Sequence, residues 1–559
     1  ECKEDPSRAL VWQIKARRVV HDQEAKDIEY RDARLEMFGV PVAYTPYFSH
    51  PDPTVKRRSG FLAPSFGRGK DLGMAIQVPY YYVLSPQEDV TLAPRLTSTE
   101  GLILSGEHRR QFLHGQIDTR GSLTRDSLGD VRGHIDATGR FDLNETWRAG
   151  YQVARSSDDT YLRRYGFNKG ASSLTTRPYL EGFFGSRSYA LAEAYSFQGL
   201  RLTDDPGMSP VVLPYLQYNY VGDPDRHGGT WSLDSSALSL SRDEGADTRR
   251  LSSRLAWTLP YTAGRGDVYT LTASMRGDLY RVSDGATDNA TTGRVLPEAT
   301  LEWRYPFVRP GKDWQQTIEP VLVATAAPNG GNPSKLPNED SRILEFNDTN
   351  LFQPNRFWGL DRVEGGPRVA YGAEYGLHGL KGGSAGLLLG QVYRPHVDEA
   401  LQARSGLENK FSDYVGRLSL KPGGWFNLAY HFRLDRETLG RRYEELAAMV
   451  GPPRLRAYLD YVNTGLPPGS TNLRKREEAY GRLHVGLTPH WSVDAFHRHD
   501  LTSDGGPLST GMSLSYDDEC FTFITSFTNN HTYDRDYSAG STVFVRLVFK
   551  TLGDVPLSF

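Results

Sequence analysis

The chain has 559 residues, of which 24% are charged, and its formal net charge is −3. This balanced charge gives no reason to expect nucleic acid as a partner. No run approaches the ~18 consecutive apolar residues of a transmembrane helix. The mean hydropathy of −0.52 does not exclude a membrane β-barrel, because its strands alternate apolar and polar residues.

The first 48 residues contain short extended segments. Trp12, Ile14 and Ala16 share one face of a strand, and further extended pieces follow at residues 25–30 and 34–38. Several prolines between residues 41 and 53 then favour extended backbone and mark a boundary. We expect a remnant of a small β-domain in residues 1–48 and a second domain in residues 49–559.

Prolines lie inside the next strand-like runs, at Pro64, Pro79 and Pro94. Proline has no N–H to donate to a β-ladder, so it belongs at an edge, a strand start or a bulge. Two consecutive strands with internal prolines therefore predict a seam with few inter-strand hydrogen bonds. If the sheet closes on itself, this seam is where it can open.

From Gly60 onward, runs of about ten residues alternate in period two and end in turn residues. In residues 268–280, for example, Leu271 and Met275 fall on one face, whereas Arg276 and Asp278 fall on the other. Residues 116–123 and 426–435 repeat the pattern. The pattern predicts one large antiparallel sheet.

Three features favour a membrane barrel over a soluble β-repeat protein, which also alternates. Charges recur on the polar face of successive strands, aromatic residues mark the ends of the apolar face, and no clear helix interrupts about 500 residues. At about 20 residues per strand and turn, the span holds roughly 24–26 strands. The predicted fold is all-β, a large antiparallel transmembrane β-barrel.

The sequence has no P-loop, H-E-x-x-H or C-x-x-C pattern. His497, His499 and Asp500 are the nearest approach to a metal cluster, but they are interpreted as polar residues near a strand end. Acidic residues 517–519 are interpreted as solvated charge beside a turn. We therefore predict no catalytic site, no metal and no cofactor.

A basic run, Lys56, Arg57 and Arg58, precedes the proline-bearing strands. Such a run is usually a solvated surface, but at a membrane rim it can contact lipid phosphates. Both interpretations remain open.

The two cysteines, Cys2 and Cys520, lie near opposite ends of the chain. They are unrelated thiols in a cytosolic protein, whereas in an exported protein a disulfide is favoured.

Several segments resemble the LptD family of outer-membrane lipopolysaccharide assembly proteins. The matching segments are VPVAYTPYFSHP, RRSGFLAPSFG, VPYYYVLSPQEDVTLAPR, EHRRQF, NLFQPNRFWGLDRVEGGPRVAYG, YDDECFTF and VFVRLVFKTLG. They occur in order along the whole chain. The resemblance implies a periplasmic β-jellyroll followed by a barrel of about 26 strands, with residues 1–48 as only the last strands of the jellyroll.

The resemblance also implies function and partners. Family members insert lipopolysaccharide into the outer leaflet of the Gram-negative outer membrane through a lateral gate between the first and last barrel strands. An LptE-type lipoprotein plugs the barrel, and an LptA-type bridge delivers lipopolysaccharide through the jellyroll. Because most of the jellyroll is missing here, we expect no normal binding of the bridge by this chain alone.

Pro64 and Pro79 match the two gate prolines of the family, whereas Pro94 lies further from closure and is interpreted as incidental. The main alternative is a porin-like or plugged nutrient-uptake barrel. A surface carbohydrate-active enzyme and a purely structural barrel or adhesin are further alternatives.

Family members tie the jellyroll to the last barrel strands through disulfides. The resemblance therefore implies a Cys2–Cys520 disulfide. The family often has an adjacent cysteine pair at the second site, but Glu519 precedes Cys520 here. A second bridge therefore lacks its cysteine on the barrel side.

Overall fold

The structure is a computed structural model, and it describes residues 12–37, 39–52, 54–55, 57–167, 170–283, 290–341, 345–398, 400–401, 404–465, 475–518, 521–533 and 535–549. Nearly all of the secondary structure in these residues is β, as predicted. The described part holds one short helix, α1 (Tyr161–Arg164). No helix in these ranges is long and apolar enough to cross a membrane.

The N-terminal strands form a separate antiparallel sheet in the order β1 (Trp12–Asp22), β2 (Asp27–Met37) and β3 (Val40–Pro51). This sheet fits the expected last strands of a jellyroll. The ladder between β2 and β3 extends to the pair of Asp27 with Pro51. The predicted boundary after residue 48 therefore falls within β3, and the division into domains stays a prediction.

From Gly60 onward the strands form one closed antiparallel barrel. The first ten segments are β4 (Gly60–Phe61), β5 (Ser65–Gly69), β6 (Gly73–Gln77), β7 (Tyr80–Ser85), β8 (Glu88–Thr97), β9 (Gly101–Phe112), β10 (Gly115–Arg125), β11 (Val131–Asp142), β12 (Trp147–Ser156) and β13 (Ser173–Phe184). The next ten are β14 (Ser188–Gly199), β15 (Val211–Pro224), β16 (Thr230–Ser241), β17 (Asp247–Thr262), β18 (Val268–Ser283), β19 (Ala290–Arg304), β20 (Phe307–Arg309), β21 (Trp314–Ala326), β22 (Arg368–Gly379) and β23 (Ser384–Tyr393). The last nine are β24 (Tyr414–Gly423), β25 (Phe426–Leu434), β26 (Arg441–Val450), β27 (Leu455–Thr464), β28 (Arg476–Gly486), β29 (Trp491–Asp500), β30 (Pro507–Asp517), β31 (Phe521–Asn530) and β32 (Gly540–Phe549).

These described segments make 26 barrel strands, because three strands are each broken into two segments. The breaks separate β4 from β5, β6 from β7, and β19 from β20, and each contains a proline: Pro64, Pro79 and Pro306. Proline lacks the N–H that a continuous ladder needs. The 26 strands confirm the predicted fold.

Burial along the strands is the reverse of that in a water-soluble protein. On β18, the outward-facing Met275 is 56% exposed, whereas the inward-facing Asp278 is 5% exposed. Soluble proteins bury such apolar side chains and expose such charges. An apolar outer surface around a polar interior is the arrangement of a barrel that sits in a membrane and encloses a hydrated lumen.

The two rims of the barrel differ in the length of their connections. Because neighbouring strands are antiparallel, alternate connections lie on the same rim. One rim carries short turns such as residues 86–87, 113–114 and 424–425. The opposite rim carries the long connections between β12 and β13, β21 and β22, and β23 and β24. We call these the short-turn rim and the long-loop rim, and the chain enters the barrel at the short-turn rim.

The long loops fold into the lumen and build the described apolar core there. One cluster joins loop residues to the walls of β21–β24, and its members are Val321, Val323, Phe346, Leu351, Ala370, Val392, Leu401, Leu407 and Val415. A second cluster surrounds α1, and its members are Ile103, Ala154, Tyr161, Leu162, Tyr165, Leu174 and Leu200. The loops are thus anchored parts of the interior.

Candidate functional site: the barrel seam and lumen

The barrel closes through a short ladder between its first and last strands. β32 pairs with β5 at four positions, from Val543 opposite Arg68 to Arg546 opposite Ser65. By comparison, β31 and β32 pair at ten positions. Among the described residues, the ladder at this closure, which we call the seam, is therefore less than half as long as the neighbouring ladder.

The prolines predicted to weaken the seam lie in two adjacent breaks. Pro64 directly precedes β5, and Pro79 lies between β6 and β7. The breaks are side by side, because the Leu62 N–H donates to the Pro79 carbonyl at 2.9 Å. Similarly, the Val78 N–H donates to the Pro94 carbonyl at 3.3 Å. The structure thus brings Pro64 and Pro79 together in the first two barrel strands, beside the closure, and their role in gating stays a prediction.

The basic run lies between the N-terminal sheet and the barrel. Arg58 forms a 2.6 Å ion pair with Asp27 of β2. Arg57 pairs with Asp89 of β8 and donates to the Pro86 carbonyl at 2.6 Å. Lys56 lies outside the described residues. The two arginines thus link the sheet and the barrel, a role that the sequence did not reveal, and their contact with lipid phosphates stays a prediction.

The other predicted residues give no additional site. Cys2 and Cys520 both lie outside the described residues, so the disulfide stays a prediction. His497 Nε2 and His499 Nδ1 are 3.2 Å apart, and Asp500 accepts a hydrogen bond from the Thr502 N–H at 3.0 Å. In the part of the chain that the structure describes, no group of three or more His, Cys, Asp or Glu could hold a metal ion.

A buried polar network ties the β21–β22 loop to the lumen wall. Arg250 of β17 donates to Asp340 and to Asp361 of this loop, both at 2.6 Å. The Tyr280 hydroxyl of β18 also donates to Asp361, at 3.0 Å. Arg294 of β19 donates to the Asp361 carbonyl at 3.1 Å. Because these strand residues face inward, they hold the loop inside the barrel.

Glu364 of the same loop is the centre of a second buried cluster. Arg356 donates to both of its carboxylate oxygens, at 2.7 and 2.8 Å, and Arg394 donates at 2.6 Å. Burial by itself would raise the pKa of Glu364, but Arg356, Arg368 and Arg394 outweigh it and lower the pKa to about 2. The carboxylate is therefore charged at neutral pH and neutralises part of a strongly basic cluster.

A third set of polar contacts crosses above the seam on the long-loop rim. Asp536, in the loop before β32, accepts from Arg132 of β11 at 3.0 Å. The Asp536 carbonyl accepts from Arg164 of α1 at 2.7 Å, and Arg535 pairs with Asp159. We call these five residues the rim clasp. It joins the loop before β32 to β11 and to the segment around α1, which lie on the other side of the seam.

Burial and hydrogen bonding also act on the neighbouring Asp158. Burial would raise the pKa of Asp158, but hydrogen bonds from Arg132, Ser157 and the Thr160 N–H outweigh it and hold the pKa well below its usual range. Asp158 therefore remains an anion beside the rim clasp and fixes Arg132 from a second side, at 2.7 Å.

Sequence reasoning missed the rim clasp and the Glu364 cluster. The inward face of each strand is visible as a row of polar residues, but loop residues such as Glu364 and Asp536 have no periodicity that would indicate burial. The GLDR segment that contains Asp361 is indicated in the sequence only by the family resemblance. Its partner Arg250 lies 111 residues away.

The family follows from comparison with known proteins. A family model described as LPS transport system D matches residues 130–491. The chain belongs to the LptD family. This confirms the resemblance stated from the sequence, and with the closed barrel it indicates an outer-membrane protein.

Two relatives of the LptD family illustrate the degree of similarity. The LPS-assembly protein LptD of Thiobacillus denitrificans is 30% identical over 345 residues, which cover 59% of this chain and 46% of the relative. That of Alkalilimnicola ehrlichii is 30% identical over 452 residues, covering 74% of this chain and 57% of the relative. The chain thus spans about half the length of the curated relatives that it matches.

Among solved structures, the FrpB iron transporter from Neisseria meningitidis aligns with 89% of this chain and 82% of its own. The TM-score is 0.34 and the identity is 9%. A likeness at this level transfers no function.

Proposed function

We propose that this chain is the barrel of an outer-membrane translocon that inserts lipopolysaccharide into the outer leaflet through a lateral gate at the seam. The observation that carries the proposal is the short closing ladder, four residue pairs long, beside two adjacent strands interrupted at Pro64 and Pro79. Membership of the LptD family supplies the substrate, since its relatives are named LPS-assembly proteins.

The energetics of a barrel wall explain why a short ladder matters. Every backbone N–H or C=O left unpaired in the hydrocarbon region costs several kcal/mol. A wall paired at ten positions, as between β31 and β32, is therefore much harder to part than one paired at four. Because a proline has no N–H, Pro64 and Pro79 each remove one donor before the gate opens.

An amphipathic substrate needs a lateral exit. Its acyl chains must reach the membrane, whereas its sugars must stay in water. The polar lumen accommodates the sugars, and the outward apolar surface of β5 and β32 accommodates the chains. No chemical step is involved, so the proposed function is non-enzymatic.

The proposed partners follow the LptD family. They are an LptE-type lipoprotein plug in the lumen, an LptA-type periplasmic bridge that reaches the N-terminal sheet through the jellyroll, and the surrounding outer-membrane lipids. The N-terminal sheet would lie in the periplasm, in agreement with the entry of the chain at the short-turn rim. In this setting Lys56, Arg57 and Arg58 would lie near lipid phosphates.

A reversible cross-link across the seam tests the proposal. Phe66 and Val545 face each other in the closing ladder, so Phe66→Cys with Val545→Cys should give a disulfide that locks it. Leu255 and Met275 face each other between β17 and β18, and Leu255→Cys with Met275→Cys is the matched control. We expect oxidation of the seam pair to stop the appearance of new surface lipopolysaccharide in cells that depend on this protein, and reductant to restore it.

The control pair should leave export unchanged under both conditions. Normal export with a fully formed Phe66–Val545 cross-link would refute the lateral gate. Steady single-channel conductance of the purified barrel with its plug would instead support the porin-like alternative.

A further inference from the structure

A cavity of about 370 Å³ lies at the seam, near the long-loop rim. Its walls come from both sides of the closure: β5 and β6 on one side, β31 and β32 on the other. The segment around α1 closes it from the lumen. A molecule that crosses the seam near the long-loop rim must therefore pass through this cavity.

Basic side chains dominate the lining of the seam cavity. They are Arg68, Lys70, Arg95, Arg163, Arg164 and Arg546, against a single carboxylate, Asp71. Arg164 is already neutralised, because it pairs with Glu100 at 2.6 Å. By contrast, Arg68 and Lys70 are exposed, and within the described residues no hydrogen bond or ion pair engages their side chains. The cavity therefore has positive charge available for a ligand.

This positive charge lies on both faces of the barrel wall. Arg68 shares the outward face of β5 with the exposed Phe66 and stands opposite the exposed Val543. Arg546 stands opposite the buried Ser65, on the inward face. Three ladder positions separate the two arginines, a distance of about 10 Å along the strands. A negatively charged group that moves from the lumen to the outside would meet one arginine on each side of the seam.

The outer edge of the same cavity is apolar. Val543 lines the cavity and is exposed, and the exposed Phe66, Met74 and Ile76 lie next to cavity residues on β5 and β6. Phosphate groups are bound by arginine and lysine through charge-assisted hydrogen bonds, whereas acyl chains favour an apolar surface. The arrangement therefore matches an amphiphile whose phosphate groups lie next to its acyl chains.

We propose that the seam cavity binds the phosphate groups of a phosphorylated lipid as it crosses the seam, with Arg68 and Lys70 as the contacts and Arg546 in the inner wall of the cavity. This inference rests on the proposed lateral gate and adds to it a specific recognition site. The site would guide the charged headgroup through the part of the wall where the ladder is shortest.

Binding by the complete 559-residue chain in detergent tests the site. The probes are hexa-acylated lipid A with two phosphates, the same lipid after enzymatic dephosphorylation, and inorganic phosphate. We expect at least tenfold weaker binding of the dephosphorylated lipid. Equal binding of both lipids would overturn the proposal, and inorganic phosphate that binds as tightly as the lipid would show a free-anion site instead.

Variants locate the binding. Arg68→Glu with Lys70→Glu should weaken lipid A binding at least tenfold. If this charge reversal prevents folding, the milder Arg68→Gln with Lys70→Gln replaces it and should weaken binding severalfold. The matched control is Arg249→Glu with Arg281→Glu, because these exposed arginines face each other on β17 and β18, away from the seam. A loss in the control equal to that in the seam variant would refute the site.

The outcomes separate this inference from the proposed function. If the Phe66–Val545 cross-link blocks export but the Arg68 and Lys70 variants bind lipid A normally, the lateral gate is supported and the phosphate site is refuted. If those variants lose lipid A binding but the cross-link leaves export unchanged, the phosphate site is supported as a lipid-binding site and the lateral gate is refuted.

Discussion

Arg132 and Asp536 lie 404 residues apart in the chain, yet the Arg132 guanidinium donates a 3.0 Å hydrogen bond to the Asp536 carboxylate above the seam. Arg132 belongs to β11, and Asp536 lies in the loop before β32. Their ion pair therefore bridges the two sides of the closure at the long-loop rim. Any outward movement of β32 from β5 has to stretch or break it.

The first prediction concerns this contact. Asp536→Asn should loosen the loop before β32 and α1, which hydrogen exchange would detect as faster deuterium uptake in residues 535–539 and 161–164. Because the Asp536 side chain is 31% exposed, the expected loss is small, about 1 kcal/mol. Glu437→Gln, in the exposed pair with Arg436, is the control and should change exchange only locally. Unchanged exchange at α1 would show that the ion pair does not hold the rim clasp.

The second prediction concerns the gate prolines. Pro64→Ala with Pro79→Ala should restore two donors near the closure, each worth about 1 kcal/mol if it finds an acceptor. The seam should then be stronger and export slower, measured as the rate at which new lipopolysaccharide reaches the cell surface. Pro94→Ala is the matched control in the third strand and should leave that rate unchanged. A normal rate in the double variant would argue against gating by these prolines.

The third prediction concerns the Glu364 cluster. Glu364→Gln would leave Arg356 and Arg394 buried without their carboxylate. Breaking such a buried pair costs about 3–5 kcal/mol. We expect a loss of this size in the free energy of unfolding in urea, together with faster proteolysis of the β21–β22 loop. Glu374→Gln is the control, because the Glu374 side chain is 48% exposed; an equal loss there would contradict the special role of Glu364.

The fourth prediction is the pH dependence of the same loop. The folded-state pKa of Glu364, about 2, lies below its ordinary value of 4.5. The charged carboxylate therefore contributes stability that is fully present above about pH 4.5 and is lost as the pH falls towards 2. We expect protease resistance of the loop to decline across this acidic window. In Glu364→Gln this decline should be smaller, and an unchanged decline would assign it to other groups.

The fifth prediction concerns the cysteines. Protein isolated from an oxidising compartment should contain a Cys2–Cys520 disulfide, with both thiols unreactive until a reductant is added. Cys2→Ser should then release one reactive thiol at Cys520 without any reductant. Two reactive thiols in the unreduced parent chain would eliminate the bridge. The cross-link itself should contribute about 2–4 kcal/mol, the range typical of disulfides.

Much of the fold could be predicted because its determinants are local. Leu271, Met275, Arg276 and Asp278 reveal their faces through period-two alternation alone, and the structure confirms an apolar outside and a polar inside. The interruptions at Pro64 and Pro79 were likewise predictable, because a missing N–H is a covalent property of the residue. The weak strands beside the closure could therefore be predicted from the sequence alone.

The contacts within the site were not predictable, because they join residues that are distant in the chain. Arg250 meets Asp361 across 111 residues, and Arg57 and Arg58 turn out to bind Asp89 and Asp27. In the sequence, no pattern distinguishes Arg68 from the other polar strand residues. Its pairing with Val543 of β32 places it at the seam.

By itself the sequence determined that this chain forms a large membrane barrel with weak first strands, since alternation and proline chemistry act within a few residues. The tertiary structure was needed to show that the closing ladder of the described residues is four pairs long, that the long loops fill part of the lumen, and that the rim clasp spans the seam. Those features depend on which distant strands and loops come into contact when the sheet closes. No local sequence pattern indicates these contacts.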